Sequence, residues 1–212
     1  MRQRRLVRLL VVLAAALGPV LVAAPAHADE QYAAQVAIDA SLSAEGVLSV
    51  RETVSFDNQV PPTLVQRLAE QRDGDDGAVY GYTISEIGVS ADEQSLSPAV
   101  NHANGATTIT VKPNGARRVD ITYTVAGATT RMPDGSTHFG WRVLQGLSVP
   151  VTEVQGVVRV PAEASDYSCQ AGAPGAERSC GLYSGGTHSS RDLSFTDGPR
   201  GIGEVVEPGL RF

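Results

Sequence analysis

The stretch YAAQVAIDASLSAEGVLSVRETVSF, residues 32–56, decides the fold class of this 212-residue chain. Apolar side chains occupy alternate positions from Tyr32 to Leu42 and again from Leu48 to Phe56, with mostly polar side chains between them. A period of two is typical of a strand that buries one face. Because Ala44-Glu45-Gly46 supplies a turn between the two runs, the stretch predicts an antiparallel hairpin.

One residue of this hairpin departs from the alternation. Glu52 occupies an apolar position between Val50 and Val54. A carboxylate without a partner is costly on the buried face of a strand, so Glu52 has a partner, lies at a rim or is protonated. We expect a carboxylate held by an arginine or by backbone donors. The alternative is an acid that faces a ligand.

Further runs downstream have the composition of strands. The residues from Tyr80 to Val89 alternate with a change of parity at Ser85-Glu86, which predicts a β-bulge. Two β-rich runs, Thr107–Lys112 and Arg118–Val125, flank a Pro-Asn-Gly turn and are predicted to form a hairpin. The run from Val154 to Val160 predicts one more strand.

These elements together predict an all-β fold. After Pro61-Pro62, the apolar side chains of Thr63–Arg72 fall on one side of a helix, so one short helix is expected there. Some eight short strands with frequent turns, and no regular alternation with long helices, favour two packed antiparallel sheets. The sequence therefore predicts an antiparallel β-sandwich, immunoglobulin- or fibronectin-like, over residues 29–205.

The first 28 residues have the features of a secretory signal peptide. Four arginines precede an apolar run from Leu9 to Ala24, and Ala26-His27-Ala28 forms an A-x-A cleavage site. Cleavage is favoured over an anchor helix because Pro19 interrupts the run, which is shorter than the roughly 20 residues of a membrane span. We therefore expect an exported protein, extracellular or at the cell surface, that begins at Asp29.

The charge balance argues against two classes of partner. Four of the 17 basic side chains and none of the 23 acidic ones lie within residues 1–28, so the mature chain carries 13 basic and 23 acidic side chains, a net charge of −10. A domain this acidic repels phosphate backbones and anionic headgroups. We expect no nucleic-acid partner and no electrostatic docking to a membrane.

The sequence contains no recognisable motif for catalysis, a metal or a cofactor. The three histidines that follow the signal, His102, His138 and His188, lie far apart and form no zinc-binding signature. The leading prediction is therefore a non-catalytic domain without a cofactor. The alternative is a secreted hydrolase, carbohydrate-active or other, in which Glu52 and a second acid form a carboxylate pair.

Two cysteines bracket a loop that has little means of holding its own shape. Cys169 and Cys180 flank the Gly/Pro/Ala-rich segment QAGAPGAERS. In an exported protein, cysteines placed in this way form a disulfide that stabilises the fold by about 2–3 kcal/mol. We predict this bond.

Two blocks of the sequence resemble a known bacterial family. Residues 32–57 resemble its opening pattern, in which a strand and a glycine turn lead to a second strand of the form V-x-E-x-V; Val50–Phe56 carries that match. The stretch FGWRVLQGLSVPVTEVQGVVRVP, residues 139–161, resembles its second landmark, where a tryptophan strand leads through glycine to a Val-Pro pair. The family is that of predicted membrane proteins known as domain of unknown function 2207 (DUF2207).

This resemblance implies an architecture and a location, since the activity of the family is unknown. It implies an N-terminal extracytoplasmic β domain in which Trp141 is a core residue, with its N–H bound to one acceptor, rather than part of a ligand site. Members of the family usually continue into transmembrane helices, whereas this sequence stops at Phe212. We therefore expect residues 206–212 to end the domain, either as a secreted stand-alone version or ahead of an anchor that lies beyond them. We expect a module that binds an unknown protein or cell-envelope partner, with a purely structural spacer as the alternative.

Overall fold

The computed structural model describes residues 32–73, 77, 79–175, 177–185 and 190–212. The predicted signal peptide, residues 1–28, and His188 lie outside the described residues. Within the described ranges the chain forms eighteen strands and no α-helix. The strands are β1 (Ala34–Leu42), β2 (Val47–Phe56), β3 (Leu64–Ala69), β4 (Gln71–Asp73), β5 (Val79–Gly81), β6 (Thr83–Ala91), β7 (Gln94–Leu96), β8 (Ala99–Ala103), β9 (Ala106–Val111), β10 (Arg118–Ala126), β11 (Thr129–Arg131), β12 (Thr137–Gly140), β13 (Val151–Arg159), β14 (Asp166–Gly172), β15 (Arg178–Ser179), β16 (Leu182–Ser184), β17 (Asp192–Asp197) and β18 (Val205–Arg211).

The described strands form four sheets. An eight-stranded sheet has the order β16-β17-β13-β1-β2-β10-β6-β7, and a five-stranded sheet has the order β11-β12-β18-β14-β15. A three-stranded sheet has the order β3-β9-β8, and β4 pairs with β5 alone. The predicted all-β class is confirmed except for its short helix, whereas an immunoglobulin- or fibronectin-like sandwich stays a prediction.

The predicted hairpin lies at the centre of the eight-stranded sheet. Strands β1 and β2 pair antiparallel, from Ala34 opposite Phe56 to Leu42 opposite Leu48, and alternate side chains of β1 are buried. The other neighbour of β1 is β13, and that pair is parallel, so the prediction of a wholly antiparallel fold is wrong here. Parallel neighbours need a long crossover connection, which leaves no local turn signal in the sequence.

The predicted helix over Thr63–Arg72 is wrong. This segment forms β3, which pairs antiparallel with β9, followed by β4. Leu64, Gln66 and Leu68 are buried at alternate positions, so the true period is two. The amide of Gln66 conceals the alternation, because a polar residue at a core position has the sequence signature of an exposed one.

The hairpin predicted from Thr107–Lys112 and Arg118–Val125 is also wrong. Both runs are strands, and the turn between them is present, with the Ala116 N–H donating to Pro113 O over 3.0 Å. However, β9 pairs with β3 and β8, whereas β10 pairs with β2 and β6 in a different sheet. The turn residues determine a local change of direction and do not determine which strands pair.

Two other predicted features are present, and the chain end is ordered into a sheet. The register of β6 against β10 shifts between Thr122 and Thr124, and Glu86 has a φ of 52°, so the bulge in β6 is confirmed. The strand predicted over Val154–Val160 corresponds to β13. Strand β18 lies between β12 and β14, so the boundary expected at residue 205 falls at the start of a central strand.

The sheets share one hydrophobic core. A single cluster of buried side chains includes Val54 of the eight-stranded sheet, Ile109 of the three-stranded sheet and Leu210 of the five-stranded sheet. Residues that alternate out of this cluster on β1 and β2 face solvent. The large sheet therefore has one buried face and one exposed face, and the two faces have different chemistry.

Substitution of Gly156 tests the packing of this core at β13. A Cβ at Gly156 would lie 2.5 Å from Phe195 Cζ and 2.9 Å from both Cβ and O of Ile38. Because such overpacking forces side chains and backbone to move, Gly156→Ala is expected to lower the free energy of unfolding by about 1–3 kcal/mol. Urea unfolding followed by tryptophan fluorescence measures this change.

Gly81→Ala is the matched control for that substitution. Gly81 is exposed, and a Cβ there meets no atom within 4 Å. The free energy of unfolding of the Gly81→Ala protein should therefore differ from that of the unsubstituted chain by less than about 0.5 kcal/mol. Equal urea midpoints for Gly156→Ala and Gly81→Ala would contradict the packing described here.

Candidate functional site

Glu52 lies in β2 on the buried face of the eight-stranded sheet and has no exposure to solvent. Its neighbours across the strands are Ile38 and Ile121. Gln66 Nε2 donates to Glu52 Oε2 over 2.7 Å, and the Tyr123 hydroxyl donates to Oε1 over 2.6 Å. Two neutral side chains thus take the place of the arginine or backbone donors that we expected. Because Gln66 belongs to β3, the carboxylate links the eight-stranded and three-stranded sheets.

Burial determines the protonation of this cluster. Burial raises the pKa of Glu52 to about 7, since a charge is disfavoured away from water, and the hydrogen bonds from Tyr123 and Gln66 offset only part of that effect. Burial, followed by the nearby charge of Glu52, raises the pKa of Tyr123 well above its usual value. Glu52 therefore changes charge near neutral pH, while Tyr123 stays a neutral donor.

Trp141 follows β12 directly and lies in the core, where it is 1 % exposed. Its ring meets Tyr82 edge-to-face at a centroid distance of 4.9 Å and Tyr123 at 6.4 Å. The acceptor expected for its N–H is not in good geometry: Nε1 forms no well-aligned hydrogen bond within the described part of the chain, although its interaction with the Tyr123 hydroxyl tends to lower the pKa of Tyr123. Tyr123 joins the aromatic group to Glu52, so the two residues singled out from the sequence belong to one buried cluster.

The geometry of this cluster gives no support to a hydrolytic role for Glu52. A glycosidase places two carboxyl groups roughly 5–10 Å apart, where both contact the bond that is cleaved. Both oxygens of Glu52 accept hydrogen bonds from the protein, and the residue is fully buried. A substrate therefore has no route to this carboxylate in the folded structure.

The predicted disulfide between Cys169 and Cys180 is present, with their Cα atoms 5.4 Å apart. Beside it, Arg142 Nη2 donates to Glu177 Oε1 over 2.9 Å, and Arg142 Nε donates to Glu207 over 3.2 Å. These ion pairs tie the bracketed loop to β18. The disulfide and the ion pairs together hold one end of the five-stranded sheet.

The histidines in the described residues lie in separate places. His102 of β8 contacts Glu70 and Thr107 through Nδ1, each at 2.9 Å, and His138 lies in β12. In the parts of the chain that the structure describes, no group of three or more His, Cys, Asp or Glu side chains could hold a metal ion. Over the same residues, no helix is long and apolar enough to cross a membrane.

Solvent-exposed cavities lined by polar side chains lie on the opposite face of the eight-stranded sheet. One cavity of about 410 Å³ is lined by residues of β1, β2, β13 and β17, and a second of about 480 Å³ is lined by residues of β1, β2, β6 and β10. Asp39 and Arg51 line both cavities, so the two lie side by side on this face, and we name them together the sheet groove. Much of its lining consists of hydroxyl side chains, namely Ser41, Ser49, Thr53, Thr122, Thr124, Ser194 and Thr196. The three threonines on β2 and β10 already donate hydrogen bonds within the chain, whereas the serines do not.

Arg51 is the available cation of the sheet groove. It lies opposite Asp39 in β1, but Asp39 accepts a hydrogen bond from Arg159 over 2.5 Å. The nearby Asp120 accepts hydrogen bonds from Arg118 instead. Among the described residues, Arg51 forms no hydrogen bond and no close ion pair, although its charge helps to lower the pKa of Asp120, so its guanidinium N–H groups are open to a ligand. The sequence did not single out this position, because Arg51 has the pattern of any exposed residue on an alternating strand.

Comparison with known proteins supports a family and no specific activity. The description "Predicted membrane protein (DUF2207) N-terminal domain" matches residues 33–196, which confirms the resemblance drawn from the two sequence blocks. A search of curated protein sequences found no match.

Three solved structures are similar to the chain at a low level. An aminopeptidase N family protein from Idiomarina loihiensis is 14 % identical, with a TM-score of 0.44 over 82 % of this chain and 29 % of its own. A putative protease from Parabacteroides distasonis is 12 % identical, with a TM-score of 0.44 over 86 % of this chain and 41 % of its own. Leukotriene A4 hydrolase from Saccharomyces cerevisiae is 8 % identical, with a TM-score of 0.45 over 86 % of this chain and 29 % of its own.

The chain spans less than half the length of each of these structures, and likeness at this level carries no argument about activity. The family match, in contrast, covers most of the chain, from residue 33 to residue 196. The chain therefore belongs to the DUF2207 family of predicted membrane proteins, in the part described as its N-terminal domain.

Proposed function

We propose that this domain is a non-catalytic extracytoplasmic binding module, and that the sheet groove contacts its partner, a protein or cell-envelope component. One observation carries the proposal: on the exposed face of the central strands the groove combines the hydroxyl groups of Ser41, Ser49 and Ser194 with the guanidinium of Arg51, and none of these groups forms a side-chain hydrogen bond within the described residues. Glu52 and Trp141, the residues that drew attention in the sequence, lie behind it in the core.

The extracytoplasmic location rests on two independent features. The sequence of residues 1–28 has the organisation of a signal peptide. The Cys169–Cys180 disulfide is of the kind that forms and persists in an oxidising compartment.

The chemistry of the sheet groove favours a neutral, polar and extended partner. Serine and threonine hydroxyls both donate and accept hydrogen bonds, so they suit a polypeptide or a polysaccharide strand. The carboxylate of Asp39 is already paired with Arg159, which leaves Arg51 as an anchor for one acceptor on the partner. Arginine is enriched among the residues that dominate binding at protein interfaces.

Site-specific cross-linking tests this proposal. A photo-reactive amino acid at Ser49 or at Ser194 samples the two halves of the sheet groove, and the same residue at Asn101 on the exposed β8 is the control. Irradiation of the producing cells is expected to give a discrete adduct from the groove positions alone, which mass spectrometry identifies. Equal adducts at all three positions, or none from the groove, would refute the proposal.

The contribution of Arg51 is measured in the same experiment. Arg51→Ala is expected to lower the adduct yield at Ser49 about fivefold, which corresponds to roughly 1 kcal/mol of binding free energy. Arg178→Ala removes an exposed arginine from β15, outside the groove, and should leave the yield unchanged.

A further inference from the structure

The outer face of the five-stranded sheet carries a separate cavity of about 220 Å³. His138, Asp166, Ser168, Gly209 and Arg211 line it, together with Met132, Tyr167 and Leu210. The first five come from three adjacent strands, β12, β18 and β14. The cavity therefore has a rigid base, which is where a preorganised binding site is expected.

The strand register brings the polar groups of this cavity onto one face. Arg211 of β18 lies opposite His138 on one side and Asp166 on the other. Two residues earlier, Gly209 lies opposite Ser168 of β14. Because residues two apart on a strand share a face, all four polar side chains surround Gly209.

Gly209 forms the floor of the cavity. Its φ is not positive, so the backbone conformation does not require glycine. A Cβ at this position would clash with Ser168 Oγ and would lie 3.9 Å from His138 Nε2. Glycine inside a strand often marks a place where another group approaches the backbone closely. The hydroxyl of Ser168 therefore packs directly on the buried main chain of Gly209, and the imidazole of His138 lies beside it.

The charged groups of the cavity have unused bonding capacity. Arg211 Nε donates to Ser136 Oγ over 2.9 Å, and its Nη2 pairs with Asp134. Asp166 Oδ1 accepts the N–H of Tyr167 over 2.9 Å. Within the described residues, Arg211 Nη1 and Asp166 Oδ2 have no partner, and the two side chains form no ion pair although they lie on directly opposed residues.

We propose that this cavity binds an α-amino-carboxylate group, such as that of a free amino acid. The carboxylate contacts Arg211 and Ser168, with His138 as a further donor when its proton is on Nε2, and the ammonium contacts Asp166. A ligand that carries both charges meets the remaining donor of Arg211, Nη1, and the remaining acceptor of Asp166, Oδ2, together. An isolated carboxylate leaves Asp166 Oδ2 without a partner, and an isolated amine leaves Arg211 Nη1 without one. This site is separate from the sheet groove, so it stands whether or not the groove binds a partner.

Nuclear magnetic resonance titration of the chain from Asp29 to Phe212 tests the site. Glycine and alanine are the probes, and acetate and methylammonium at the same ionic strength are the single-charge controls. We expect saturable shifts of the amide signals of His138, Ser168 and Gly209 with the amino acids, and at least about fivefold weaker binding of either control. No saturable shift with amino acids at tens of millimolar, or equal binding of acetate, would overturn the proposal.

Two Asp-to-Asn substitutions, one inside this cavity and one outside it, distinguish binding at this site from a general effect of charge. Asp166→Asn removes the carboxylate that contacts the ammonium and is expected to weaken amino-acid binding about fivefold or more, with acetate unaffected. Asp192→Asn makes the same change at an exposed position of β17 and should bind as the unsubstituted protein does. Equal affinity in Asp166→Asn and Asp192→Asn would refute the role of Asp166.

Discussion

Replacing Trp141 with alanine is expected to lower the free energy of unfolding by about 3–5 kcal/mol. The indole is 1 % exposed and lies edge-to-face against Tyr82 at 4.9 Å and near Tyr123 at 6.4 Å. Its removal loses the transfer free energy of a large apolar group and leaves a cavity that close-packed neighbours fill only in part. Urea unfolding followed by far-ultraviolet circular dichroism measures the loss, since Trp141 is the only tryptophan of the chain.

Trp141→Phe is the control that isolates the N–H group. Phenylalanine keeps an aromatic ring in the site but fills less volume. The substitution is therefore expected to lower the free energy of unfolding by roughly 1–2 kcal/mol. The indole N–H forms no well-aligned hydrogen bond within the described residues, so its loss is expected to add little to that cost. A Trp141→Ala protein as stable as the unsubstituted chain would show that this residue lies outside the core.

The second large effect is a dependence of stability on pH that originates at Glu52. Its pKa is about 7 in the folded protein and 4.5 in the unfolded chain, so the folded state binds the extra proton between these two pH values. The contribution of Glu52 to the free energy of unfolding is therefore fully present below about pH 4.5, and it is lost as the pH rises through about 7. A difference of this size corresponds to about 3 kcal/mol.

Glu52→Gln removes this dependence and keeps the shape of the side chain. A glutamine still accepts from Tyr123, and its amide can donate to Gln66 Oε1, which has no partner within the described residues. We compare the free energy of unfolding of the variant with that of the unsubstituted protein at each pH. The difference is expected to shift by about 3 kcal/mol in favour of the variant between acidic pH and pH values above 7. Urea unfolding at a series of pH values, followed by tryptophan fluorescence, measures the difference.

Two controls accompany this substitution. Glu153→Gln changes an exposed carboxylate of β13 and should follow the pH dependence of the unsubstituted protein. Glu52→Ala should be less stable by about 2–4 kcal/mol, because it leaves a cavity and two buried groups, Tyr123 and Gln66, without their acceptor. Parallel pH curves for Glu52→Gln and the unsubstituted chain would contradict the burial of this carboxylate.

The local parts of the fold were predictable because each has a signal within about ten residues. The alternation of β1 and β2 around a glycine turn indicated the hairpin, and the change of parity in β6 indicated its bulge. The same reasoning gave the wrong element for β3, because the buried amide of Gln66 made a strand look like a short helix. The sequence pattern records burial only when buried positions are apolar.

Pairing between distant strands was not predictable from one sequence. Strand β13 lies parallel beside β1, and β9 and β10 diverge into different sheets after a turn typical of hairpins. Neither arrangement has a local cause, because both depend on which surfaces the rest of the chain leaves open. The number and order of sheets therefore required the structure.

The candidate sites show the same division. Glu52 was identifiable because it interrupts an apolar stripe, but its partners Gln66 and Tyr123 lie 14 and 71 residues away. Arg51, the adjacent residue, was not identifiable, because a charged side chain on the polar face of a strand is ordinary. The cavity above Gly209 depends on the register of three strands, and no stretch of sequence reveals it.

The most direct test of this account compares two adjacent residues of β2 that face opposite sides of the eight-stranded sheet. With the photo-reactive residue at Ser49, the partner adduct is measured in Arg51→Ala and in Glu52→Gln chains. We predict that Arg51→Ala lowers the yield about fivefold and that Glu52→Gln leaves it unchanged, since binding occurs on the exposed face and Glu52 acts in the core. A loss of capture in Glu52→Gln, with full capture in Arg51→Ala, would contradict the account.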